Sequence, residues 1–395
     1  MATANPIPDD TSTAERAVAH LLVMATAMPP EQFEGVLAHL AETFSADNLI
    51  VATQDELAAH VTTPLRVVPI PRSSTAWILK PIDFINAFEA GREYDAKAVL
   101  ILGPGADSLS PPALRSLANA VLTSAVDLGM PHYSIPPNTG LINSAIIYPL
   151  TRALFAARAR FPLALDMGLS MRMAECLAAA ARRFNDPGQN EAMLWPVNEA
   201  IAAGCSVDEI DAGPRSAPQP ADVDISSILA LITGSLFGDI EAKAAVWQRP
   251  RRPPLLRPAP GTTPAGSPDD VAHMVEAFRL AYANLQEIWS LVLPPHSLLM
   301  LKRFSVVDAA VFRMPDNLWA RIVYDFLIAY RLRTINRGHL MGALIPLYLA
   351  WVAGHINATA SGTTPERHIE AVAAAFEADK PYLVARWRWP DRFNS

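Results

Sequence analysis

Only two of the 395 residues are cysteine, Cys176 and Cys205. So few thiols exclude a disulfide-stapled scaffold and a cysteine-paired zinc module, and they fit a reducing, cytoplasmic setting in which one bridge is formally allowed but not expected. The short motifs of several common chemistries are also missing. There is no P-loop, no G-x-S-x-G, no H-E-x-x-H and no dinucleotide glycine fingerprint after the first predicted strand. The nine histidines are scattered, with no metal-ligand cluster among them. Positive charge is not in excess either: a net charge of −7 gives no general reason to bind nucleic acid or an anionic membrane. Residues 1–14 are polar and carry acids, so no secretory signal is expected there. The most membrane-like stretch, 340–356, is interrupted by Pro346 and His355 and is short of the ~20 apolar residues a span wants. A buried helix is the expectation there, with no stable membrane insertion.

Apolar bulk, by contrast, is plentiful. At 51% apolar, the chain can bury a sizeable core and fill two domains, or one large domain with a helical extension. Apolar runs at 21–24, 48–51, 65–68 and 98–102 are of strand length, and segments with helical patterning, such as 31–44 and 82–90, lie among them. That alternation predicts an α/β fold with parallel pairing under crossover helices. Open sheets of this kind bind ligands beyond the carboxyl ends of their strands. The segments that matter are therefore 25–29, 53–55, 71–80 and 103–110. They hold Thr26, Asp55, Lys80, Gly103, Gly105 and Asp107 as candidate ligand contacts.

Further along, 113–126, 166–181 and 225–246 read as helices, 198–203 as the end of another stopped by Gly204, and 205–211 as a strand. Seven prolines and four arginines between 248 and 268 predict an extended linker. Beyond it, 269–289, 318–334, 340–356 and 365–386 all read as helices. The expected organisation is a sheet-bearing unit at 15–247, the linker at 248–268 and an all-helical unit at 269–395. The apolar faces of that last unit either pack internally or form a homo-oligomer contact.

Several residues could carry chemistry. The Gly103-Pro-Gly105 turn either lets backbone amides cradle an anion or is simply a tight exit from a strand. Asp107 and Ser108 are placed to cap the helix that begins at Pro111, or to touch a ligand. Lys80 is a point charge ahead of a helix, suited to a diphosphate or to solvent alone. Asp166, in apolar surroundings, needs a partner. Capping a helix start would supply one, and so would a ligand hydroxyl. His339 and His355 lie in or beside apolar helices and read as core or boundary histidines.

The blocks Tyr148-Pro-Leu-Thr-Arg-Ala-Leu-Phe155 and Pro162-Leu-Ala-Leu-Asp-Met-Gly-Leu-Ser170 resemble bacterial GT-A glycosyltransferases related to mannosylglycerate synthase. The stretches Pro315-Asp-Asn-Leu-Trp-Ala-Arg-Ile-Val-Tyr324 and Phe376-Glu-Ala-Asp-Lys-Pro-Tyr-Leu383 resemble that group's helical C-terminal region. The similarity spans roughly residues 98–386. It implies a GT-A-like, Rossmann-like domain that takes a UDP- or GDP-linked sugar, followed by a helical domain, with transfer to a small polar acceptor such as glycerate. By the same resemblance Asp166 is the acidic, catalytic residue facing the sugar. The resemblance also puts Thr151 and Arg152 in the acceptor loop and matches Lys80 to a lysine near the donor diphosphate, while Thr26, Asp55, Gly103, Gly105 and Asp107 are expected toward the donor from their place at the strand ends. The group's Asp-x-Asp, which holds a divalent cation, is replaced here by Gly103 and Gly105. An expected acid becomes Met193, and an expected histidine falls at Ala217. The expectation is therefore a degenerate metal site with no bound metal or other cofactor, and Lys80, Arg72 and Arg215 are the basic residues available to offset diphosphate charge. Two outcomes stay open: a metal-free transferase, or an inactive relative that uses the fold for binding or for regulating a partner.

Overall fold

The four apolar runs of the first hundred residues become the parallel half of one seven-stranded sheet. The structure, a computed structural model of the chain, describes residues 20–71, 78–184, 193–216, 224–249 and 268–390. Its strands are β1 (Leu21–Ala25), β2 (Leu49–Gln54), β3 (Arg66–Ile70), β4 (Ala98–Leu102), β5 (Leu128–Ser134), β6 (Met167–Ser170) and β7 (Val207–Pro214), in the order β3-β2-β1-β4-β6-β5-β7. Only β6 runs antiparallel to its neighbours β4 and β5.

Strands β1 and β4 are apolar throughout because both faces of the sheet are covered. Leu21, Val23 and Ala25 point to one side, where they meet helices α1 (Pro30–Thr43) and, later in the chain, a helix at 111–122. Leu22 and Met24 point to the other. Three further helices cross over from the strands: α2 (Asp55–Ala58), α3 (Pro81–Glu93) and α4 (Pro111–Leu122). α4 is capped by Ser110, whose Oγ accepts from the N–H of Ala113, and not by Asp107 or Ser108. Pro111 and Pro112 fill the first helical turn, which pushes the cap to the residue just before them.

Two elements depart from expectation. β5 carries Gly129 and Pro131, residues that break strand patterning, yet it lies inside the sheet between β6 and β7. Its register against β7 shifts between His132 and Tyr133. The helix expected over 166–181 begins later, because Asp166 leads into β6. Helix α6 (Met171–Arg182) starts after Ser170, whose Oγ accepts from Met173 N–H at 3.1 Å. Before it comes α5 (Tyr148–Phe155), entered through one wide turn of π type at Asn143–Ile147, and after it α7 (Pro196–Ala203).

The remaining helices are α8 (Ile225–Ala242), α9 (Ala244–Trp247), α10 (Pro268–Val292), α11 (Pro295–Phe304), α12 (Asp316–Leu332), α13 (Arg337–Ala360) and α14 (Pro365–Arg388). Most of the predicted linker, 250–267, lies outside the described residues. α13 is the core of this region. It is long and apolar enough to cross a membrane, as is α8, but 72% of α13's apolar window is buried against its own fold. One apolar cluster runs without a break from Leu22 in β1 to Trp387 in α14. The indole of Trp319 (α12) seals the junction by donating to the carbonyl of Ala145 at 2.8 Å.

His355 of α13 is fully buried in this junction, as a core histidine should be. Its Nδ1 lies 2.7 Å from Nδ1 of His368, whose Nε2 meets Asp316 at 3.2 Å. Trp351 stacks on both rings, and Arg160, paired to Glu366, is the nearby cation. Burial, then His368 and Arg160, lower the His355 pKa from 6.5 to about 3, so the folded state holds it neutral. The unfolded chain binds that proton more readily, and stability is therefore lost as pH falls below 6.5. Between pH 7.5 and 5 this site should cost about 2 kcal/mol. Asp325, whose pKa is raised to about 6 chiefly by burial, acts in the opposite direction over the same range. The measurement is thus a difference: urea unfolding of His355→Gln against the parent should show the parent losing stability faster on acidification. Parallel curves would remove this account of His355.

Candidate functional site

The carboxyl edge of the sheet is closed by a carboxylate and a guanidinium. β4 runs out at Leu102 into Gly103-Pro104-Gly105, and Gly105 sits at φ 84°, a conformation glycine adopts without strain. Its N–H donates to Oε1 of Gln32 at 2.8 Å, and its carbonyl accepts from Ser108 Oγ at 2.6 Å. Asp166, wholly buried at the head of β6, receives four hydrogen bonds. Gly103 N–H donates to Oδ1 at 3.0 Å, Tyr133 OH to Oδ2 at 2.6 Å, and Arg215 to both, Nε to Oδ2 at 2.8 Å and Nη2 to Oδ1 at 3.3 Å.

Arg215 follows directly on β7, with its own N–H held by the carbonyl of Ser134. Its Nη2 also donates to Pro104 O, and Nη1 to Ser216 O, each at 2.8 Å. Arg215 therefore ties together four strand ends, those of β4, β6 and β7 through its guanidinium and that of β5 through its backbone N–H. Burial lowers the Arg215 pKa, but Asp166 and Tyr133 outweigh it, so the group stays charged. Burial, then the Asp166 charge, push the Tyr133 phenol well above its usual range, so it remains a neutral donor. Beside this pair an open cleft of about 460 Å³ is lined by Ser108, Ser134, Ile135, Pro136, Arg215 and Ser216.

The other residues expected at this edge are spread along it. Thr26 follows β1, buried, with N–H and hydroxyl both directed at Leu102 O. Asp55 opens α2 at the end of β2 and is exposed. Lys80 caps α3, its N–H bound to Asp83 Oδ2 at 2.7 Å. Asp107 is half-buried, and its Oδ1 has no hydrogen-bond partner among the described residues. Arg72 and Ala217 lie outside the described residues.

Thr151 and Arg152 are elsewhere, on α5 where it packs against α14. Arg152 is buried and forks onto Glu377, Nε and Nη2 each at 3.0 Å, while Nη1 reaches Glu370 at 2.6 Å and Tyr148 OH at 3.0 Å. Thr151 is buried with its hydroxyl unpartnered. Arg160 joins the same array through Glu366 and Ser144 Oγ. Three glutamates of α14 thus receive two arginines of the sheet region.

The residues do not fit a divalent cation held in the Asp-x-Asp manner. A Cβ on Gly103 would meet Leu165 Cβ at 2.6 Å, and one on Gly105 would meet Arg215 Nη1 at 2.2 Å. Met193 is buried and apolar. No group of three or more histidines, cysteines or acids with metal-binding placement occurs among the described residues. Sequence reasoning singled out Arg215 by its charge but not its tie to Asp166. It gave no role to Tyr133, Ser134, Ser216 or Gln32, whose part depends on which loops meet in space.

No family model matches the chain, and no curated protein matches it. Among solved structures, a mycobacterial protein is 13% identical, with 60% of this chain and 77% of that one covered at a TM-score of 0.40. Glucosyl-3-phosphoglycerate synthase from Mycobacterium tuberculosis, in complex with Mn²⁺, UDP-glucose and phosphoglyceric acid, is 14% identical, covering 58% of this chain and 81% of that one at a TM-score of 0.38. The same synthase with Mg²⁺ and UDP is 14% identical, covering 60% and 82% at a TM-score of 0.41.

Proposed function

We propose that this chain binds a nucleotide-activated sugar at the carboxyl edge of its sheet and transfers the sugar to a small polar or anionic acceptor without a tightly held metal. The observation that carries this reading is the open cleft at the ends of β4, β5 and β7, walled by hydroxyls and by a buried, charged arginine. Such an edge is where open α/β sheets take their ligands. Its serine hydroxyls and Arg215 suit a phosphate and sugar hydroxyls, and Ile135 and the prolines between them give the rest of a ligand an apolar wall. The donor is UDP- or GDP-linked, and in this reading Thr26, Asp55, Lys80, Gly103, Gly105 and Asp107, which follow the strand ends of the same edge, lie toward it.

A second reading, binding without transfer, is favoured by one specific observation: both Asp166 oxygens are fully engaged by Gly103, Tyr133 and Arg215. A carboxylate in that state positions Arg215 and has no free oxygen for a sugar hydroxyl or a proton. The test is a thermal-shift panel of UDP- and GDP-sugars, followed by assay of nucleoside diphosphate release with glycerate and phosphoglycerate as acceptors. At ~100 times its dissociation constant, a true donor adds roughly 2.7 kcal/mol of stability. A shift with turnover is the expected result; a shift without turnover leaves the binding protein. No shift with any donor would sink both.

A further inference from the structure

We propose that Arg215 is the residue that contacts the diphosphate of the bound nucleotide, in the place a divalent cation would take. The inference rests on the donor-binding reading above and deepens it. Its starting point is that the space of the missing carboxylates is already filled. Leu165 occupies the room a side chain at 103 would need, and the Arg215 guanidinium occupies the room at 105. A guanidinium thus stands where a side chain at 105 would lie.

The geometry suits that task. Four of the five guanidinium N–H groups are fixed, two on Asp166, one on Pro104 O and one on Ser216 O. The plane is therefore set before any ligand arrives, and little side-chain entropy remains to be lost on binding. Those four bonds leave one N–H, on Nη1, and Arg215 lines the cleft together with Ser108 and Ser216. Asp166 balances the whole charge of the guanidinium, so what the pair presents to a phosphate is a fixed, polarised N–H and no net positive charge. What Arg215 offers a phosphate oxygen is thus one oriented, charge-assisted hydrogen bond, worth about ten- to a hundredfold in affinity. Lysine could not hold Asp166, Pro104 and a ligand at once, because it lacks the fork. Gly105 belongs to the same device: any side chain there displaces Nη1.

The experiment is calorimetric titration of the full chain with UDP, GDP and uridine, in EDTA and again with Mn²⁺. The parent should bind the preferred nucleoside diphosphate equally in both buffers. The pair Asp166→Asn/Arg215→Gln removes both charges together and leaves a shorter polar side chain at 215, so no unpaired charge stays buried. Folded by near-ultraviolet circular dichroism, it should bind the diphosphate about ten- to a hundredfold more weakly, while binding uridine as the parent does. Gly105→Ala should weaken diphosphate binding in the same selective way, which serves if the double variant fails to fold. Binding that requires Mn²⁺, or a folded neutral pair with unchanged affinity, overturns the role of Arg215 while leaving donor binding intact. Failure of the parent to bind either diphosphate in both buffers overturns the donor-binding reading as well.

Discussion

Asp166→Ala should lower the stability of the fold by about 3–5 kcal/mol, the loss that follows when one partner of a buried ion pair is removed. The magnitude follows from what is left behind. Arg215 would keep its charge in a site only 6% exposed, with Pro104 O and Ser216 O as its remaining acceptors. Tyr133 and Gly103 would each lose the acceptor they now share. The companion variant separates this from a simple cavity. Removing both charges, as Asp166→Ala/Arg215→Met, should be milder than Asp166→Ala alone, because no unpaired charge stays buried. Urea unfolding of the parent, the two single variants and the double variant gives the coupling directly. Additive losses would mean that the pair does not act as a unit, and that the closing of four strand ends by Arg215 is a misreading.

Arg152→Ala should cost about 3–4 kcal/mol, from three charge-assisted hydrogen bonds to Glu370 and Glu377 and the packing of the guanidinium over Tyr148. The figure is held below that for Asp166 because the glutamates are a quarter to a third exposed, so water can solvate them once the arginine is gone. Arg152→Lys should recover little of the loss, since one ammonium cannot bridge Glu377 in two places and Glu370 in a third. This variant also distinguishes two roles. An arginine that docks α14 onto α5 changes the unfolding free energy and leaves donor binding alone. An arginine that grips an acceptor changes transfer with little effect on stability. All of its recorded contacts favour docking, and a stability loss under 1 kcal/mol together with abolished transfer would restore the acceptor role.

Strands β1, β2 and β4 were legible in the sequence because burial on both faces makes a parallel strand a continuous apolar run, and edge strand β3 was legible from the run at 65–68 that overlaps its start. β5 was not, because Gly129 and Pro131 remove the pattern that such burial normally writes. β6 was hidden for another reason: at four residues it merges with the helix that follows, and only the cap at Ser170 marks the boundary. The candidate site divides in the same way. That Asp166 needs a partner follows from a carboxylate set among apolar neighbours. Which partner it has depends on the meeting of the 103–105 turn, the end of β5 at 133–134 and the segment 215–216, which no local pattern records. Arg152 carries the complementary lesson. A forked cation seeks a carboxylate, but the sequence does not say whether that carboxylate comes from a ligand or from α14 of the same chain.

The most direct test of the account is amide hydrogen exchange on the parent protein with and without the nucleotide sugar that most raises its melting temperature. The account predicts slowed exchange at 103–109, 134–135 and 215–216, the three segments that contribute Ser108, Ser134, Ile135, Arg215 and Ser216 to the cleft, with the α5–α14 contact unchanged. Protection confined to the helical region, or none in those three loops, would place the ligand elsewhere and contradict a donor site at the carboxyl edge.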